Sequence, residues 1–319
     1  MSEHDPDSDA GLTPVLADAL GSLRDGLRDR LLPRRDADVD WMALFESARR
    51  RFARIGGMRD VSGTVDDFGM DSDAVASARP WIEWLFDRWW RVDVSGADAL
   101  PEQGPCLFVA NHSGLLPWDG LMVVHALERH APDAPRARFL MADWIATLPF
   151  AAPVITRLGG VRACRENAER LLRTGRSVVS FPEGAKGAAK VFRQRYRVQR
   201  FGRGGVVRTA IAARAPLVPV AVVGAEETHP VLFKVETLAR AMGAPFLPVT
   251  PTFPMLGPLG LIPLPSKWSI RFGEPIATHE LDAALADDET LVWRITEDLR
   301  ERIQKMLDAD VHARRSVWT

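Results

Sequence analysis

The chain is predicted to fold as an α/β protein, a mixed, largely parallel-type sheet flanked by helices, with an N-terminal helical extension in front of it. Three observations predict this. Short apolar runs recur at 106–110, 138–141, 177–181, 217–223 and 268–272, the length of buried strands. Helix-patterned stretches at 121–130, 166–174 and 204–213 alternate with them, the order that builds a sheet covered by helices. At 319 residues, the chain can bury the core that such a sheet needs, and no internal repeat or low-complexity tract competes with that reading.

From residue 12 to about 55 the pattern is helical and rich in paired charges, among them Arg24, Asp25, Arg28 and Asp29. A Gly/Asp/Ser-rich stretch through Ser77 reads as a connection, so residues 1–78 are taken as helical extension plus linker and 79–319 as the main domain. Pro80 suits a helix start. The helix after it places Trp81, Trp84, Leu85 and Trp89 on one face, a stripe that fits core packing better than a membrane anchor.

A formal net charge of −1 argues against a nucleic-acid binder, so phosphate recognition must be local. Cys106 and Cys164 have no metal-site or disulfide spacing, which fits a reducing compartment. The first ten residues are acidic and polar, unlike a secretory signal. Residues 241–266 carry no charge, but prolines at 245, 248, 251, 254, 258, 263 and 265 exclude a spanning helix. This stretch is expected to be a long apolar loop, either a cover for the core or a lip that meets lipid. The expected location is the cytoplasmic side of a membrane, peripherally attached.

Two strand ends carry the candidate chemistry. The first reads Asn111-His112-Ser113-Gly114-Leu115-Leu116-Pro117-Trp118-Asp119-Gly120, where an apolar strand meets a helix. A histidine there can take a proton from an alcohol, and a nearby carboxylate would fix its tautomer. Asp119 is the first candidate for that partner, with Asp143 and Glu183 behind it. The second reads Phe181-Pro182-Glu183-Gly184-Ala185-Lys186-Gly187, in which Gly184 and Gly187 would let backbone amides approach an oxyanion and Glu183 would bind an acceptor hydroxyl.

Together these segments resemble the blocks of the glycerolipid acyltransferase superfamily, N-H-x-x-x-x-D followed by F-P-E-G. Leu158-Gly159-Gly160-Val161-Arg162 resembles the glycine-to-arginine block that contacts an acceptor phosphate, and Val218-Pro219-Val220 resembles the later V-P-V strand. The likeness spans roughly residues 92–275 and makes 79–319 an acyltransferase domain. One position departs from the pattern: Pro117 stands where the family has its aspartate, and the acid falls two residues later, at Asp119.

The resemblance implies direct transfer of a fatty acyl group from acyl-CoA or acyl carrier protein to a lysophospholipid or glycerolipid hydroxyl. His112, Asp119 and Glu183 would form the catalytic set; Asn111, Arg162, Phe181, Pro182, Gly184, Lys186, Arg193 and Arg195 would bind substrate. The absence of G-x-S-x-G agrees with a route that has no acyl-enzyme. No metal or cofactor is expected, since the histidines lack ligand spacing. Glu226 and Glu227, near His229, read as solvated charges of a strand-end loop.

Arg193, Arg195, Arg197, Arg200, Arg203 and Arg208 alternate with Phe192, Tyr196, Phe201 and glycines at 202, 204 and 205. The run suits an acceptor phosphate, the donor's phosphates or anionic headgroups, and Lys186 and Lys190 would extend it. The competing class is a non-catalytic lipid-binding or scaffold protein that keeps the fold. Such a protein would have no chemical need for a base at 112.

Overall fold

The computed structural model describes residues 65–101, 104–113, 116–146, 151–235 and 247–318. The expected helical extension of the first residues lies outside them. In chain order the elements are α1 (Ser72–Trp84), β1 (Asp93–Ser95), β2 (Leu107–Ala110), α2 (Trp118–His130), β3 (Arg138–Met141), α3 (Asp143–Ala146), α4 (Ala151–Arg157) and β4 (Gly160–Arg162). They continue with α5 (Arg165–Arg173), β5 (Val178–Ser180), α6 (Gly184–Ala188), α7 (Gly205–Ala213), β6 (Leu217–Val223), β7 (Phe233–Val235), β8 (Leu247–Val249), β9 (Ser269–Phe272) and α8 (Glu289–Ala313).

Seven strands form one sheet in the order β1-β9-β6-β2-β5-β3-β4, and its neighbours run parallel except β6 and β9. The sheet is therefore mixed and largely parallel, as the alternation predicts. Both faces are buried, which explains why the strands read as continuous apolar runs. Phe108, Ala110, Val218, Val220 and Val222 face α1 and α2. Leu107, Val109, Leu217, Ala221 and Val223 face α5, α7 and α8. The two-residue period of a strand thus divides the core into two layers.

The first helix differs from expectation. It begins at Ser72, where Asp71 accepts from the amides of Asp73 and Ala74, and Pro80 lies inside it. It crosses the expected 78/79 boundary and buries Ala74, Val75 and Ala78. Asp and Ser serve equally as linker residues and as helix caps, so composition alone misplaced the start. A π-helical turn, Leu85–Trp89, then brings Trp90 into the core, stacked on Trp268 at 4.6 Å between ring centroids.

The proline-rich stretch is fastened at its end and exposed in its middle. Its end is fastened by the indole N–H groups of Trp89 and Trp90, which donate to the carbonyls of Pro263 (3.0 Å) and Leu264 (3.1 Å). Its middle is exposed, with Met255 85%, Leu259 66% and Ile262 54% accessible. Among the described residues no helix is long and apolar enough to cross a membrane.

Candidate active site

β2 and β5 are adjacent and parallel, so the segments that follow them emerge side by side at one edge of the sheet. The Asn111-His112 step thereby meets the Phe181-Pro182-Glu183-Gly184 turn. The imidazole of His112 and the ring of Phe181 lie 4.8 Å apart between centroids.

His112 Nδ1 is 2.8 Å from Asp119 Oδ2, and Asp119 is fully buried. The same oxygen accepts from the amide of Ser113 (3.0 Å) and its hydroxyl (3.3 Å), while Oδ1 accepts from the amide of Gly120 (2.8 Å). Both oxygens of Asp119 are thus taken up as acceptors. His112 Nδ1 therefore carries the proton and donates it, leaving the Nε2 lone pair outward. His112 remains 9% accessible, enough for Nε2 to meet a substrate.

The displaced acid reaches the histidine because the chain turns before the helix. The Trp118 amide donates to the Leu116 carbonyl, α2 starts at Trp118, and Asp119 falls in its first turn. There the free amides and the helix dipole favour a carboxylate. Of the two fallback partners, Asp143 pairs with Arg162, and Glu183 meets only the backbone of His112.

Glu183 is held by backbone amides on either side. Its side chain is wholly enclosed; Oε1 accepts from the His112 amide (2.7 Å) and Oε2 from the Gln199 amide (2.7 Å). Enclosed and bound to two backbone amides, Glu183 ties the His112 segment to the Gln199 turn. The Gly184 amide is likewise taken up by the Phe181 carbonyl (3.0 Å), so it is not the expected oxyanion donor. Gly187 matters for packing: a Cβ there would fall 2.5 Å from Glu183 Cβ and 3.0 Å from His112 Cβ.

Asn111 is turned into the sheet. It is fully buried, and its amide exchanges hydrogen bonds with the backbone of Val222, donating to the carbonyl (3.0 Å) and accepting from the amide (2.8 Å). In effect it extends the β2–β6 ladder by one side chain and fixes where His112 begins. Arg162, at the end of β4, is exposed and forms a two-pronged contact with Asp143 (2.7 and 3.2 Å). Lys186 and Arg193 are exposed at the surface, while Phe181 and Pro182 are half-buried beside the site. Arg195 lies over Phe192, 4.3 Å from its ring, and reaches toward Glu227.

Behind Glu183 is a charge network that the sequence reading missed. Lys190 is buried, not part of a surface patch; its ammonium lies 2.7 Å from Glu226 and 3.4 Å from Glu183. Burial disfavours that ammonium, but the carboxylates of Glu226 and Glu183 outweigh it and raise the Lys190 pKa. Glu226 accepts from the Tyr196 amide (3.0 Å), and Glu227 pairs with Arg314 at 2.8 Å. Glu226 and Glu227 are thus buried, not solvated. Two consecutive acids after a strand look identical in sequence whether water or a distant cation faces them, and Arg314 is 87 residues from Glu227.

The family model described as Acyltransferase matches residues 91–223, which contain all four motif blocks. An uncharacterized protein of Mycobacterium leprae is 46% identical over 256 residues, 80% of this chain and 70% of that protein. One from Mycobacterium bovis is 44% identical over 256 residues, 80% of this chain and 72% of that protein. Among solved structures, the 1-acyl-sn-glycerophosphate acyltransferase PlsC of Thermotoga maritima is similar at 17% identity and a TM-score of 0.46, covering 86% of this chain and 90% of that one. With both motif segments inside the matched region and assembled around one histidine, residues 91–223 of the chain belong to the acyltransferase family.

Proposed function

We propose that this acyltransferase moves a fatty acyl group from acyl-CoA or acyl carrier protein to a hydroxyl of a lysophospholipid or glycerolipid, with His112 as general base. The observation that carries the reading is the His112–Asp119 pair, whose geometry leaves Nε2 unprotonated and open beside the Phe181 turn. The acceptor hydroxyl gives its proton to Nε2 as its oxygen attacks the thioester carbonyl carbon. Collapse of the tetrahedral adduct breaks the C–S bond, and the imidazolium returns the proton to the leaving thiolate. An ester and a thiol result, with no acyl-enzyme. Asp119 stabilises the imidazolium; Glu183 and Asn111 hold the segment from which it projects. Arg162, Lys186 and Arg193 lie at the surface, where an anionic headgroup would meet them.

The acceptor would be reached from a lipid surface. Supporting this are exposed apolar side chains, Met255, Leu256, Leu259 and Ile262 in the proline-rich loop and Phe233 in β7, the last 58% exposed. β7 pairs with β8, from which the loop leaves, and Lys234 adds a positive charge next to Phe233. Apolar side chains flanked by a cation suit an anionic bilayer interface.

The test is a panel assay with purified protein and labelled acyl-CoA or acyl carrier protein against lysophosphatidate, other lysolipids, diacylglycerol and amines. Transfer to a lipid hydroxyl is expected. Failure to acylate any hydroxyl, or accumulation of an acyl-enzyme, would overturn the reading.

A further inference from the structure

Across the Phe181 ring from His112, on the face covered by α5 and α7, lies a cavity of about 360 Å³ that the proposed proton transfer does not use. Phe181 and Pro182 line it toward the active site, and Leu107 and Leu140 form its apolar floor. Its polar wall is the start of α7, Gly202-Arg203-Gly204-Gly205, with Thr209 one turn further on.

α7 has no side-chain cap, and its first internal backbone bond is from the Arg208 amide to the Gly204 carbonyl. The amides of Gly205, Val206 and Val207 therefore point out of the helix with no acceptor among the described residues, the arrangement that binds anions. A second observation points to the same place. Thr209 is 4% accessible, and its hydroxyl has no hydrogen-bond partner among the described residues. It is not sealed in protein, so the accessible remainder opens on the cavity that it lines.

Glycine explains how the hydroxyl comes to be open. A helical side chain leans toward the preceding turn, so Thr209 lies over Gly205, four residues earlier. A Cβ at Gly205 would meet no atom within 4 Å, whereas one at Gly204, where φ is +75°, would fall 2.4 Å from Val292 Cγ1. Gly204 is therefore required by packing against α8, while Gly205 leaves space in front of the amides. Arg203 is exposed and makes no hydrogen bond or ion pair among the described residues.

We propose that this cavity is a phosphate-binding site, in which the α7 amides, the Thr209 hydroxyl and the Arg203 guanidinium hold a phosphoryl group. Four neutral donors and a planar cation match the oxygens of a phosphate, and the apolar floor fits the non-phosphate part of the same molecule. The site explains why the arginine run ends in a glycine cluster: the glycines give close backbone approach. Phosphate binding does not depend on the base role of His112.

The experiment is calorimetric titration of the full chain with inorganic phosphate, followed by competition with coenzyme A and with glycerol 3-phosphate. Gly205→Asp places a carboxylate where α7 favours one, so the fold is kept and the site is filled from within. It should weaken phosphate binding about tenfold or more, and Thr209→Val and Arg203→Gln should each weaken it about three- to tenfold. His112→Ala should bind phosphate as the unsubstituted protein does, which separates this test from that of acyl transfer. Competition by coenzyme A assigns the site to the donor, by glycerol 3-phosphate to the acceptor, and by neither to free phosphate; each leaves the site standing. No phosphate binding by the unsubstituted protein, or equal affinity in Gly205→Asp, would overturn the proposal.

Discussion

The two sides of the Phe181 ring differ in how their polar groups are used. On the His112 side nearly every buried donor and acceptor has a protein partner: Asp119 accepts from His112, Ser113 and Gly120, and Glu183 from His112 and Gln199. On the cavity side the α7 amides and the Thr209 hydroxyl have none among the described residues. A buried polar group without a partner costs about 1–3 kcal/mol, so a satisfied cluster serves position and an unsatisfied one awaits a ligand. The contrast separates residues that hold the reacting histidine from residues that would hold a substrate.

The largest expected effect comes from spoiling the satisfied side. Asp119→Asn would offer an NH₂ group where the carboxylate now accepts, turning the imidazole to the wrong tautomer. The acyl-transfer rate should fall by about 10²–10⁴-fold with little change in KM. A fall of less than threefold would show that Asp119 does not set the tautomer. Glu183→Gln should come next: one of its two amide contacts becomes donor against donor, with a stability loss of about 1–3 kcal/mol and a lower kcat at nearly constant KM. A raised KM with unchanged kcat would instead make Glu183 a substrate contact.

Smaller effects are expected away from the pair. Replacing Leu259 and Ile262 together with Asp should reduce sedimentation with anionic vesicles about tenfold or more, since an interfacial side chain gains only part of the about 1.5–3 kcal/mol that full burial gives. Activity on a water-soluble acceptor should be unchanged, and unaltered vesicle binding would remove that loop from the membrane face. The smallest effect concerns Glu226, whose carboxyl burial pushes up to about 7 although Lys190 pulls it down. A carboxyl raised in the folded state binds its proton more tightly there, so its contribution is present at low pH and lost as pH rises through about 7. Glu226→Gln cannot titrate and should flatten the decline in Tm between about pH 5 and 8. An identical slope would place the titration elsewhere.

Much of the frame was legible from period and order. The runs at 138–141 and 217–223 coincide with β3 and β6 because both strand faces are buried, which leaves an unbroken apolar signal. β1 and β4 have three residues each, too few for any period, and β1 is exposed along its length. α8 follows the last apolar strand, where alternation no longer guides the reading. At the site, residue type identified His112 and Asp119, but not what Glu183 and Asn111 would face. Those roles depend on Gln199 and Val222, which only the folded sheet brings near. Lys190 and Glu226 were misread for the same reason: a charge pair closed over 36 residues leaves no local mark.

The central claim is that His112 Nε2 takes the acceptor's proton, and the most direct measurement is the initial rate of labelled acyl transfer by His112→Ala beside the unsubstituted protein, at equal Tm and equal vesicle binding. The account predicts a loss of at least about 10³-fold, within the range for removing a general base. Transfer at an undiminished rate by the folded variant would contradict it.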